Sequence, residues 1–146
     1  MKSRLLALLM IVTANFAVAA EHTVEMKNKG EGGIMVFEPA VLHVAVGDTV
    51  TFVPTDAGHN SESVDGLMPE GATPWKGENG QAITVTVDKE GVYVYKCLPH
   101  AIMAMVGVIV AGEHTNLEQI KTAAEPFIAT FAMKKKRLTK YLAEVQ

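Results

Sequence analysis

Between residues 21 and 112 the apolar residues fall in short runs, many of them alternating with polar ones and all bounded by turn residues. "HTVEMKN" alternates. "VLHVAV" puts Leu42, Val44 and Val46 on one face before a Gly47-Asp48 turn. "TVTFVP" sets Val50 and Phe52 together and stops at Pro54, and "QAITVTV" ends at a "DKEG" turn. "VYVYKC" and "VGVIVAG" are continuous β-branched or aromatic runs, the pattern of buried strands. Strands at this spacing with no helices between them predict an all-β domain, an antiparallel sandwich or Greek-key barrel. The stretch from Asn60 to Gly80 is polar and broken by Pro and Gly, so it reads mostly as a loop.

Past Gly112 the period lengthens. Thr115 or Asn116 is placed to cap a helix carrying Leu117, Ile120 and Ala124, with Glu118 in its first turn. Pro126 interrupts it and opens a second helix with Phe127, Ile128, Phe131, Leu138, Tyr141, Leu142 and Val145. The "KKKR" run, Lys134 to Arg137, reads as the solvated face of that helix. The expected layout is residues 1–20 as a leader, 21–112 as a β-sandwich, and 113–146 as a two-helix extension packed on it.

The leader changes both location and charge. Lys2 and Arg4 precede an apolar run from Leu5 to Val12, and the segment ends in small residues. That is the form of a secretory signal peptide, with cleavage after Ala19 or Ala20. No other apolar run is long enough to span a bilayer. Without Lys2 and Arg4 the chain has 11 Lys+Arg against 16 Asp+Glu, a net charge of −5, which argues against nucleic acid as a partner.

One cysteine in an exported chain excludes an internal disulfide and leaves a reactive thiol, an intermolecular bridge or a metal ligand. Cys97 ends a strand, His100 follows three residues later, and Met103 and Met105 lie just beyond. One tight loop thus offers a thiolate, an imidazole and a thioether, with spacing alone leaving the two methionines open. His59, just past the "TVTFVP" strand, is the candidate fourth donor. Two imidazoles, a thiolate and a weak axial thioether suit the blue-copper site. Zinc is the runner-up, although its structural sites favour several thiolates and its catalytic sites an open position. His22, His43 and His114 fall outside any ligand spacing, and Trp75 reads as a local packing anchor.

The ordered set "MVFEPA", "VGDTVTF", "GHNSES", "MPEGA", "GVYVYKCLPH" and "MAMVGV", with the helical tail, resembles the pseudoazurins, a family of bacterial periplasmic cupredoxins. The resemblance implies a cupredoxin-like Greek-key β-sandwich with two C-terminal α-helices, and one type 1 copper ion held by His59, Cys97, His100 and Met105. It implies that Asn60 braces the ligand loops near the Cys97 sulfur and that Met35 packs over the His100 ring. Lys29, Lys76 and Lys96 match docking lysines, while Ala57 and Asp65 stand where lysine is usual, and Ala104 stands where glycine is common. Residues 21–112 hold 5 lysines against 12 acids, a net of −7.

The function implied is a soluble periplasmic one-electron carrier and not an enzyme. The edge of His100 would face partners through an apolar patch including Leu98, Pro99, Ala101, Met103 and Pro54. The acceptor implied is nitrite reductase or another periplasmic reductase, the donor a cytochrome or respiratory complex, and the carrier a monomer. A copper chaperone would need accessible Met- or His-rich ligands, and an oxidase would need an open coordination position or further ligands; neither pattern is visible.

Overall fold

The computed structural model describes residues 18–145, so most of the leader lies outside the described residues. Eight strands form two four-stranded sheets. They are β1 (Glu21–Gly30), β2 (Gly33–Glu38), β3 (Val41–Val44), β4 (Thr49–Pro54), β5 (Glu62–Ser63), β6 (Ile83–Thr86), β7 (Gly91–Lys96) and β8 (Val106–Ala111). One sheet has the order β2-β1-β4-β6 and the other β3-β8-β7-β5. The expected sandwich is present, but it is not purely antiparallel: β1 runs parallel to β4, and β3 parallel to β8.

Alternation along β7 and β8 sorts their side chains into two cores. Tyr93, Tyr95, Ile109 and Ala111 point between the sheets, where they meet Val24, Phe37, Val50 and Phe52. Val92, Val94, Val106, Val108 and Val110 face the other way and pack with Leu117, Ile120, Leu138 and Leu142 of the C-terminal segment. Both faces are covered, which is why these strands read as unbroken apolar runs. Aromatic rings fill the inter-sheet core. Phe37 and Phe52 lie edge-on to Tyr95 at centroid distances of 4.7 and 4.9 Å, and Trp75 stacks on Phe52 at 5.8 Å. Trp75 also donates from its indole N–H to Ser61 Oγ at 3.0 Å, so it does anchor the long 60–80 crossing.

Two expectations about elements change, and β2 is a strand that the apolar pattern did not predict. Val46 lies outside β3 and is exposed, because the strand stops at Val44. Strand β2 has no clean alternation: Val36 and Phe37 are both buried, with Phe37 between the sheets. The tail itself forms three short helices, α1 (Leu117–Ala123), α2 (Glu125–Ala129) and α3 (Arg137–Ala143). Pro126 opens α2 as expected, but the second predicted helix breaks after Ala129 and restarts at Arg137, past Lys134 at φ +53°. Asn116 precedes α1 without capping it. Its side chain instead accepts from the Val92 N–H at 2.7 Å and donates to the Val92 carbonyl at 3.1 Å, tying the tail to β7.

Gly107 in β8 has a steric purpose. A Cβ there would sit 2.3 Å from Tyr95 Cζ and Oη. That ring is fixed by Phe37 and Phe52 and cannot swing aside. Gly107→Ala is therefore expected to lower unfolding stability by about 1–3 kcal/mol through overpacking, as read by urea denaturation. Gly47→Ala, with nothing within 4 Å of its Cβ, separates this clash from backbone strain alone at φ +98°.

Candidate metal centre

The ligand loop is a continuation of the β7–β8 ladder. Lys96 pairs with Val106, and the Cys97 N–H then donates to the Met105 carbonyl at 3.0 Å. A 3₁₀ turn, Leu98–Met103, fills the gap between the two strand ends. Because side chains alternate along a strand, Cys97 keeps the inward direction of Tyr93 and Tyr95, and Met105 that of Ile109. Both are fully buried. Met103 sits in the turn and is only partly buried, so its place in the turn and its exposure, not strand parity, set it apart from Met105.

The turn closes on itself through His100. Its N–H donates to the Cys97 carbonyl at 3.2 Å, and its carbonyl accepts from Met105 N–H at 3.2 Å. Ala104 returns the chain to β8 at φ +58°, the left-handed region that glycine enters most easily. The alanine noted in the sequence thus stands at a position with a real conformational cost.

His59 arrives from the other sheet, past the end of β4, and is fully buried. Its Nδ1 lies 3.1 Å from His100 Nδ1 and 3.6 Å from Cys97 Sγ, and His100 Nδ1 lies 3.4 Å from the same sulfur. The point equidistant from these three atoms is about 2 Å from each, the range of bonds from a first-row ion to imidazole nitrogen and thiolate sulfur. The described residues hold one such group of donors, and it is this one. His59, Cys97, His100 and Met105 are positioned to bind a single copper ion. The soft, mixed donor set fits copper better than zinc.

Two asparagines hold this arrangement. His59 Nε2 faces Asn28 Oδ1 at 3.0 Å; with the proton on Nε2 that bond leaves Nδ1 free for a metal. Asn28 is in turn held by its own N–H, which donates to Asp56 Oδ2 at 2.7 Å. Asn60 Oδ1 accepts from the Leu98 N–H at 2.7 Å while Asn60 Nδ2 donates to the Gly77 carbonyl at 3.0 Å. One side chain thereby links the His59 loop, the Cys97 loop and the long crossing. Sequence reasoning reached Asn60 but missed Asn28, which sits on a different strand with no motif to mark it.

The other residues singled out fall as follows. Met35 is partly buried beside the inter-sheet core with φ +48°. Lys29 and Lys76 are exposed, and Lys96 is half-buried, 3.2 Å from Glu62 and above the Phe127 ring. Leu98 and Pro99 are exposed, whereas Ala101 and Pro54 are half-buried. His22 pairs with Asp48 at 2.8 Å, and His43 and His114 are exposed and remote from the donor group.

Burial sets the protonation chemistry. It holds the His59 imidazole below its ordinary value, helped by the neighbouring His100 and opposed by Asp56. It pushes the Cys97 thiol up, against the N–H groups of Asn60 and His100, which favour the thiolate.

Comparison with known proteins agrees with this geometry. Residues 24–112 match the family model of copper-binding proteins of the plastocyanin/azurin family. A pseudoazurin of Methylorubrum extorquens is 42% identical over 137 residues, 93% of this chain and 89% of that one. A pseudoazurin of Paracoccus pantotrophus is 45% identical over 121 residues, 82% of each chain. The crystal structure of native pseudoazurin from Hyphomicrobium denitrificans has a TM-score of 0.78 at 45% identity, covering 87% of this chain and 99% of that one.

Two outcomes are expected. Around neutral pH an incoming metal ion displaces the proton of Cys97, whose thiol is held above its ordinary value, so apparent affinity rises about tenfold per pH unit; chelator competition at two pH values reads the slope. Met105→Gln changes the spectrum of the copper-loaded protein, whereas Met103→Gln leaves it close to wild type. The reverse pattern would reassign the axial ligand.

Proposed function

The chain belongs to the plastocyanin/azurin family of copper-binding proteins, and we propose that it works as a soluble periplasmic carrier of single electrons between redox proteins. The observation that carries this reading is the burial of a complete, closed donor set. His59, Cys97 and Met105 are sealed from solvent, and only His100 retains partial exposure. Bound copper supplies one-electron chemistry between Cu(I) and Cu(II). The residues around it keep water out and resist rearrangement. His59 is locked by Asn28, and the loop of Cys97 and His100 by Asn60. A site that must change oxidation state without changing shape needs this kind of bracing.

Leu98 and Ile102, at 50% and 57% exposure, flank His100 on the surface. With Pro99, Ala101 and Met103 they form the apolar patch through which an electron would pass along the His100 edge. Ile102 is added to this patch because it is exposed next to the other four in sequence. Such a contact is small, as rapid dissociation requires. Lys29, Lys76 and Lys96 are the docking lysines of this reading, and Met35 is the side chain that packs on the His100 ring. The net charge of −7 over residues 21–112 makes long-range steering toward an acidic partner weak.

The leader supports periplasmic location, and among the described residues no helix is long and apolar enough to cross a membrane. The acceptor we favour is nitrite reductase or another periplasmic reductase, with a cytochrome or respiratory complex as donor and the carrier acting as a monomer. A copper-delivery role is disfavoured by the burial of three of the four ligands, since handover needs ligands that a receiver can reach. An enzymatic role is disfavoured because His59, Cys97, His100 and Met105 would together hold the ion, and the described residues gather no second ligand set.

Adding Cu(II) to the apoprotein is expected to give an intense visible absorption that disappears in Cys97→Ser and His59→Ala but survives in His43→Ala. A protein that binds only zinc, with no such band, would end the carrier reading. Ile102→Glu is expected to keep the band yet slow electron exchange with a partner reductase by about tenfold, the weight of one central interface contact. Unchanged exchange would move the transfer site away from His100.

A further inference from the structure

The "KKKR" run divides in the structure. Lys134, Lys135 and Lys136 are exposed in the turn before α3, but Arg137 is buried at 8% exposure. No carboxylate among the described residues forms an ion pair with it. Its guanidinium donates to four backbone carbonyls instead. Nη1 reaches Met35 O and Ala104 O, both at 2.9 Å, and Nη2 reaches Ile34 O at 3.1 Å and Gly32 O at 3.3 Å.

Those partners are a special set. Among the described residues three non-glycine positions have positive φ: Met35, Ala104 and Lys134. Two of them give their carbonyls to Arg137, and the carbonyl of the third accepts the Arg137 backbone N–H at 2.8 Å. All three unfavourable backbone conformations therefore meet at one residue. Left-handed backbone outside glycine persists only where its surroundings over-determine it. Ala104 immediately precedes Met105, and Met35 lies on β2, packed against the cluster that contains Cys97 and Met105. The tail also reaches the ligand loop a second time, where Ala132 N–H donates to the Ile102 carbonyl at 2.8 Å.

We propose that Arg137 is a positioning residue of the metal centre: by gripping the carbonyls of Ala104 and Met35 on one guanidinium, it fixes where Met105 stands relative to the three nitrogen and sulfur donors. The C-terminal extension is then the buttress that carries this brace, in addition to covering the outer face of β7 and β8. Arginine is suited to the task because its planar fork serves several acceptors at once, and four carbonyl dipoles offset the burial of its charge. A lysine ammonium in the same place is a point charge without that fork. The exposed Lys134–Lys136 segment is then the loop that allows α3 to begin at Arg137.

The inference rests on the copper reading, so its test has one arm that needs copper and one that does not. In metal-free protein, Arg137→Lys is expected to speed amide hydrogen exchange at Ala104 and Met105 about tenfold, as the loop opens locally more often. In copper-loaded protein the same variant is expected to shift the reduction potential and alter the spin-resonance pattern. Arg137→Met, which keeps the buried stem and removes the charge, serves if the lysine variant does not fold. The control is Leu142→Ala, which weakens α3 within the same core but leaves the guanidinium in place. Wild-type exchange and potential in the Arg137 variants would overturn the proposal. So would equal changes in Leu142→Ala at a matched loss of stability. Wild-type protein without the visible copper band would instead sink the copper reading and leave the exchange arm to stand or fall by itself.

Discussion

The alternation of side chains along two neighbouring strands is the constraint on which the site depends. The β7–β8 ladder runs one step past its last formal pair, through the bond from Cys97 N–H to Met105 O. At that step both side chains keep the direction of the inter-sheet core. A ligand loop of any other parity would send the sulfur of Cys97 or Met105 toward the helical tail. The packed rings beneath, Tyr95 against Phe37 and Phe52, keep this ladder from slipping or twisting. The site is an outgrowth of the sandwich core, and its rigidity is borrowed from it.

Burial then makes the donors depend on a cation. In the dry interior the thiol holds its proton more tightly and the His59 imidazole is harder to protonate. Two imidazole nitrogens 3.1 Å apart, with a sulfur at 3.4 and 3.6 Å, need a proton or a metal ion between them. Asn28 bonds the outer ring nitrogen of His59 and Asn60 the backbone of the Cys97 loop, so orientation is fixed while the inner atoms stay free. Binding selectivity and low rearrangement follow from the same arrangement.

The C-terminal segment has a larger part in this than a covering layer would. It buries the outer valines of β7 and β8, ties itself to Val92 through Asn116, and meets the ligand loop at Ile102 and Ala104. Ala104 in place of glycine makes that support more necessary, because the loop must hold a left-handed alanine next to Met105. The acidic surface of the sandwich points the same way for partners. With lysine absent at positions 57 and 65, the docking proposed above would lean on the apolar patch around His100 more than on charge.

The sequence by itself determined what depends on local pattern. Alternating and continuous apolar runs gave the strands of the sandwich, and Cys97, His100 and the following methionines gave a soft-metal loop. The place of His59 just past the "TVTFVP" strand made it the candidate fourth donor, and resemblance added Asn60. Tertiary structure alone decided whatever joins distant segments. It placed Asn28 on His59, it made the sheets mixed by pairing β1 with β4 and β3 with β8, and it buried Arg137 against carbonyls about a hundred residues away. Strand β2 escaped notice because Val36 and Phe37 are buried side by side and break its alternation, and α3 began late because Lys134 turns left-handed. The reason is common to all of these. Periodicity records which face of an element is buried, but a hydrogen bond between two remote segments leaves no period in either of them.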